Sequence, residues 1–242
     1  MFSTNHFIWI GISVLIIAVY LFVNKKKNLS FNTNLNILCI VCFISECIKT
    51  FYKMKINAAG DGRILDPGDL PFHLCSMQIF FVLYLKVFCK NENTKQTILQ
   101  FMFPTMCVGG FMALMIPTVG TEFTNPQVYQ FFGFHSVIIA FAIYLIVFKQ
   151  INVTMKTIFR NYAILIGILF LGIWINSILS VYDTNFLYVT RPPMEGLPYL
   201  SMAHGWYVYF VHYLLLAIIL LFAFQYPFVL LCKKRNTKQE LI

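Results

Sequence analysis

Seven apolar stretches, each about long enough to cross a lipid bilayer, constrain this chain more than any other feature. A spanning helix requires roughly 20 apolar residues, because a helix rises about 1.5 Å per residue and the hydrocarbon core is about 30 Å thick. The stretches cover residues 6–23, 34–54, 70–88, 97–117, 127–148, 158–180 and 205–231. They predict an all-α fold, a polytopic membrane bundle of about seven transmembrane helices, with residues 1–242 forming a single transmembrane domain. Composition agrees, since 59% of the residues are hydrophobic and only 11% are charged. A soluble domain carries about a quarter charged residues and cannot hide so much apolar surface in one core. Pro104, Gly109, Gly110 and Gly167 fall within the stretches, where membrane helices tolerate them.

The net charge of +9, from 18 Lys and Arg against 9 Asp and Glu, would point a soluble chain toward nucleic acid. Here the distribution reads as topology. With the N-terminus outside, one side of the membrane receives 13 basic residues: Lys25, Lys26, Lys27, Lys86, Lys90, Lys95, Lys149, Lys156, Arg160, Lys233, Lys234, Arg235 and Lys238. The other receives only Lys53, Lys55, Arg63 and Arg191, while Lys49 lies inside the second stretch. Asp61, Asp66, Asp69, Glu122, Asp183 and Glu195 all fall on the Lys-poor side. The positive-inside rule therefore predicts a multi-pass protein of the cell membrane, N-terminus out and C-terminus cytoplasmic. Nucleic acid is not needed as a partner. The first stretch lacks a basic leading region, and Lys25–Lys27 follow it without a small-residue cleavage site, so it reads as a retained span. The seven cysteines lie in spans or at cytoplasmic ends, which argues against a disulfide framework.

Ionisable and amide groups inside spans are costly and mark candidate sites. Glu46, His73, Cys75, Gln78, His135 and Asn176 come from the second, third, fifth and sixth stretches. Counted from the outer helix ends, Glu46, Cys75, His135 and Asn176 lie roughly 6–13 Å deep. The inner half offers little that is comparable. Asp69 as N-cap and Pro71 in the first turn predict a helix start that puts Cys75 in the second turn, where the helix dipole favours a thiolate. His73 projects about 200° away from Cys75 around such a helix, so His135 is the better placed base for a cysteine nucleophile. Glu46 is placed to orient that histidine, and Gln78 or Asn176 to donate to an oxyanion. In the exterior loop, Asn185, Tyr188 and Arg191, with Trp206 beside them, would hold a lipid headgroup phosphate.

Plainer readings stand beside these. Membrane cysteines are commonly small packing residues, and Glu46 and Lys49, spaced i, i+3, can neutralise each other. His73, Cys75, His135 and Glu46 are suitable ligand types, but no H-x-x-x-H or C-x-x-C spacing supports a metal, and no cofactor motif or Gly-rich phosphate loop is present. His204 reads as interfacial, and Trp9, Trp206 and Tyr207 fit an aromatic belt.

L-P-F-H-L-C-S at 70–76 resembles the L-P-x-H-L-C signature of YwaF-like bacterial integral membrane proteins. D-T-N-F-L-Y-V at 183–189, R-P-P at 191–193 and H-G-W-Y-V-Y-F at 204–210 continue the resemblance, although His204-Gly205-Trp206 stands where that family has Gly-Pro-Trp. That family is similar to the transmembrane-protein-164 type of multi-span lipid acyltransferases. In those the reactive pair is a cysteine of the L-P-x-H-L-C-like motif and a histidine two spans later. The resemblance thus implies acyl chemistry with Cys75 and His135 as the pair. The first expectation is a cysteine/histidine lipid acyltransferase or acyl hydrolase, its site in the extracytoplasmic half and membrane lipids as substrates. The alternative is a small-molecule transporter or membrane substrate-binding protein, using Glu46 and His135 in the same polar cavity.

Overall fold

A computed structural model describes residues 2–59, 65–194, 196–197 and 199–240. Asp61, Arg63 and Glu195, counted above in the charge pattern, lie outside the described residues. The regular elements are helical: α1 (Thr4–Lys27), α2 (Phe31–Ala59), α3 (Leu74–Val87), α4 (Glu92–Met115), α5 (Pro126–Val147), α6 (Met155–Ile178) and α7 (Trp206–Glu240). Short 3-10 turns occupy Pro67–Asp69, Ser180–Tyr182 and Phe186–Tyr188. The caps explain most of the boundaries. Ser3, Asn91, Asn125 and Thr154 each accept a first-turn amide at the start of α1, α4, α5 and α6, and Thr154 with Thr157 completes a capping box. Asn28 ends α1 in the left-handed region, after three lysines that complement the negative end of the helix.

Among the described residues six helices are long and apolar enough to cross a membrane, and the protein is a multi-pass membrane protein. The third stretch departs from expectation. Its helix, α3, has 14 residues and begins at Leu74, not near Leu70. Asp69, expected as the N-cap, instead closes the preceding 3-10 turn, which begins with an acid and a proline of its own: Asp66 accepts from the Gly68 amide and Pro67 takes the first position. Leu70 is extended (φ −60°, ψ 151°), as the residue before Pro71 tends to be. Cys75 is consequently the second residue of α3, in its first turn.

The helices group into two compact units, residues 1–65 with 74–152, and residues 66–73 with 153–242. In the first unit α5 is central and packs against α1, α2 and α4, while α3 lies against α2 and α4. The apolar segments of α4 and α5 are mostly buried, at 56% and 61%, whereas those of α1 and α2 are mostly exposed, at 17% and 22% buried. Trp9 is not in an interfacial belt. It is buried at 3% exposure, stacks on Phe132 at 5.1 Å between centroids and donates its indole N–H to the Thr121 carbonyl at 3.2 Å. Its ring is large enough to fill the space between α1 and α5, and a partner for the N–H makes that burial tolerable. Tyr207, 80% exposed, does suit the belt.

The Lys-rich end is also less apolar than expected. Tyr20 donates to Asn34 at 2.6 Å, and Asn34 donates to Asn24 at 2.7 Å, with both asparagines fully or nearly fully buried. Their positions at the end of α1 and the start of α2 resemble loop residues in sequence. Packing encloses them, and they satisfy one another.

In the second unit α6 and α7 run antiparallel, joined by Asn161 donating to Gln225 at 2.7 Å and Tyr162 donating to the Ile218 carbonyl at 3.2 Å. Residues 183–191 fold back against them.

Candidate functional site

In the first unit, the Cys75 sulfur on α3 and the His135 backbone carbonyl on α5 meet the same turn of α4. A Cβ added to Gly109 would sit 3.2 Å from the Cys75 sulfur. One added to Gly110 would sit 2.6 Å from the Ile139 side chain and 3.5 Å from the His135 carbonyl oxygen. Neighbouring residues on a helix point about 100° apart, so the thiol and the histidine segment lie on adjacent faces of α4 at one level. Paired glycines there allow α3 and α5 to approach α4 closely, as small residues do in membrane packing.

His135 is nearly buried, with Phe131 and Phe134 beside the ring. Its Nδ1 lies 2.7 Å from the Phe131 carbonyl. A carbonyl only accepts, so Nδ1 carries the proton, and in the neutral ring the Nε2 lone pair is left as the basic position. His6 provides the contrast. Its Nε2 meets the Leu114 carbonyl at 2.8 Å, and its Nδ1 accepts the Phe2 amide at 3.2 Å. Both of its nitrogens are engaged, and the Nε2 bond ties α1 to α4.

Glu46 pairs with Lys49 at 2.6 Å, the i, i+3 partnership that the spacing allowed. The adjacent Ser45 accepts from Gln130 at 2.6 Å, which sets Glu46 level with that part of α5. His135 lies five residues further along α5, about 7 Å deeper. The Phe131 carbonyl therefore occupies the orienting position expected for Glu46.

Gln78 is fully buried, and its Nε2 donates to the Leu74 carbonyl at 3.2 Å and to Thr105 at 3.1 Å. Both amide hydrogens are engaged, so the expected oxyanion-donor role is closed to it. Its Oε1 is left without a hydrogen-bond partner.

The remaining sequence-selected residues belong to the second unit. Asn176 donates to the carbonyls of Gly172 (2.8 Å) and Phe186 (3.0 Å) and accepts the Phe186 amide (2.8 Å), so it too has no hydrogen to give an oxyanion. Three donors on one face of α7 hold the next carbonyls in order: Tyr213 that of Leu187 (2.7 Å), Tyr209 that of Tyr188, and Trp206 that of Val189 (2.9 Å). Tyr213 lies seven residues into α7, so the loop dips about 10 Å below the helix end. This is irregular backbone buried in protein, the setting in which membrane proteins tolerate it. Leu187 and Tyr188 have φ of 58° and 55°, and Gly172 leaves the space that Leu187 fills.

Asn185 stitches the loop internally, donating to the Arg191 carbonyl (2.9 Å) and accepting from the Thr190 hydroxyl (2.7 Å). Arg191 grips Asp183 with both terminal nitrogens, at 2.5 and 2.8 Å. That fork is occupied by a carboxylate, so Asn185 and Arg191 shape the loop in this state and do not present it to phosphate. His73 and Phe72 pack on the same loop, His73 against Tyr188 (5.2 Å) and Phe186 (5.6 Å), Phe72 against Phe186 (5.3 Å). Among the described residues no group of three or more His, Cys, Asp or Glu could hold a metal ion.

A model of the TMEM164 family matches residues 1–225. The chain belongs to the TMEM164 family. No curated protein and no solved structure matches it. In this TMEM164-family chain, sequence reasoning overlooked Gly109 and Gly110 as the surface shared by thiol and histidine, and the α7 donors Tyr209 and Tyr213. A signal for the latter existed. Trp206, Tyr209 and Tyr213 are spaced i, i+3, i+7, one helix face, and each can donate while burying a ring.

Proposed function

We propose that this chain is a membrane acyl-transfer enzyme, a lipid acyltransferase or acyl hydrolase, in which Cys75 is the nucleophile and His135 the base. The observation that supports the reading is that the Cys75 sulfur and the His135 backbone lie against one turn of α4, with the histidine's Nδ1 engaged by a carbonyl and Nε2 left basic. Nε2 takes the thiol proton as sulfur attacks the ester carbonyl of an acyl lipid. The tetrahedral intermediate collapses to a thioester, and the departing alkoxide receives that proton from His135. An acceptor hydroxyl, or water, then gives its proton to Nε2, attacks the thioester and releases the thiolate. Oxyanion donors come from the backbone: Cys75 sits in the first turn of α3, whose amides have no acceptor within the helix.

The motifs at 70–76, 183–189, 191–193 and 204–210 resemble those of YwaF-like proteins, and that resemblance supports a YwaF-like branch as this chain's place within the family. The charge asymmetry supports an N-out protein of the cell membrane with this site in the extracytoplasmic half.

An activated fatty-acid probe offered to the purified protein tests the assignment. Labelling should be lost in Cys75→Ser and fall by two orders of magnitude or more in His135→Ala, a range typical of a general base, roughly 10²–10⁴-fold. Equal labelling of wild type and Cys75→Ser would overturn it. Uptake of a solute that survives Cys75→Ala and fails in Glu46→Gln would favour transport instead.

A further inference from the structure

At the Lys-rich end of the first unit, a cavity of about 350 Å³ opens between the start of α2, the end of α3 and the start of α4. Its volume falls in the range of small-molecule sites, roughly 300–1,000 Å³. Leu35 and Leu85 form its buried apolar floor, and Lys86, Lys90 and Lys95 ring it, with Glu92 as the one acid. Lys95 is held, pairing with Glu92 at 3.2 Å and lying 4.7 Å above the Phe31 ring. Lys86 and Lys90 are exposed and have no ion pair or hydrogen bond with the described residues. The helix ends themselves contribute little, because Asn91 already accepts the first amides of α4 and Ser30 the Thr33 amide of α2. Recognition here falls to the lysines.

A cavity with an excess of two positive charges, set where membrane helices end, matches the phosphate of an anionic phospholipid. Val87 and Phe88, 61% and 69% exposed at the same edge, offer an apolar surface for the acyl chains that leave such a headgroup. We infer that this cavity is a binding site for the phosphate of an anionic phospholipid headgroup, gripped by Lys86 and Lys90 and separate from the cysteine–histidine site. A free phosphate shares the charge but not the chains, and an acyl lipid with a zwitterionic headgroup shares the chains but not the net charge.

Cys89 lines the cavity and supplies a reporter. The full-length protein in neutral detergent is alkylated with a small thiol reagent, and modification of Cys89 alone is followed by peptide mass spectrometry. Dioctanoyl phosphatidylglycerol should slow that modification at least five-fold. Dioctanoyl phosphatidylcholine and inorganic phosphate at the same concentration should leave it within two-fold. In Lys86→Gln/Lys90→Gln the protection should vanish, and in Lys234→Gln, a basic residue that does not line the cavity, it should persist. Equal protection by phosphatidylcholine, equal protection by inorganic phosphate, or protection retained in the double variant would each overturn the site. Both substituted lysines are exposed, and an unchanged melting temperature verifies that the double variant is folded.

Discussion

At the scale of single residues, the candidate site depends on two hydrogens. Gly109 and Gly110 carry no Cβ where one would meet the Cys75 sulfur at 3.2 Å and Ile139 at 2.6 Å. The two substitutions should therefore separate. In Gly110→Ala the new methyl overlaps a packed side chain between α4 and α5. Overpacking of this kind costs about 1–3 kcal/mol, and a fall in thermal stability is expected. In Gly109→Ala the nearest atom is a thiol that needs to give by a few tenths of an ångström. Stability should change little, while acyl-probe labelling of Cys75 should drop several-fold because the sulfur is displaced. Equal stability losses in both variants would mean that α3 cannot yield and that Gly109 is purely a packing residue. The sequence identified Cys75 and His135 by depth and by resemblance, but their common neighbour was hidden. Two adjacent glycines in a span read only as tolerated helix breakers until a partner helix is seen against each.

At the scale of elements, the segment 183–191 is the largest departure from expectation. Loop composition, with Asp, Asn, Arg and paired prolines, predicts an exterior connection. The structure folds it back and satisfies its carbonyls from Asn176, Tyr213, Tyr209 and Trp206. Asn176→Ala leaves the buried Phe186 amide without a partner and its carbonyl with only the long Val189 amide contact of 3.5 Å, and a loss of about 2 kcal/mol is expected in reversible unfolding. Tyr213→Phe should cost about 1–3 kcal/mol for the one carbonyl it strands. Tyr207→Phe, on the exposed face, should be neutral. Arg191→Ala should cost less than about 1 kcal/mol despite its two-pronged contact, since Arg191 and Asp183 are 45% and 83% exposed and water screens them. The long spans were legible because lipid demands an apolar run of fixed length. The start of α3 falls one turn beyond the Asp69–Pro71 signal, because Asp69 closes a preceding 3-10 turn and Leu70, before Pro71, is extended. The re-entrant fold was illegible because its hydrogen bonds join residues up to 26 positions apart, and no local propensity records that.

At the scale of the whole molecule, orientation decides which leaflet meets Cys75 and which meets the lysine-ringed cavity. The 13 basic residues assigned to one side, against four on the other, favour a cytoplasmic position for the end that carries Lys86, Lys90 and Cys89. Cysteine chemistry can read this directly, because Cys89 is partly accessible beside Lys86 and Lys90, and Val181, 84% exposed, follows the end of α6 away from Lys156 and Arg160. In intact cells a membrane-impermeant maleimide should modify the thiol of a Val181→Cys variant and spare Cys89. After permeabilisation both should react. The reverse pattern would place the N-terminus inside and move the thiol and imidazole to the cytoplasmic half. A charge series completes the test: replacing Lys25, Lys26 and Lys27 by Gln removes three of the charges that hold the first hairpin, and some chains should then expose Cys89 to the impermeant reagent. If the triple substitution leaves the pattern untouched, the remaining Lys-rich loops are sufficient to set the orientation, and Lys86→Gln/Lys90→Gln added to it should then tip the balance.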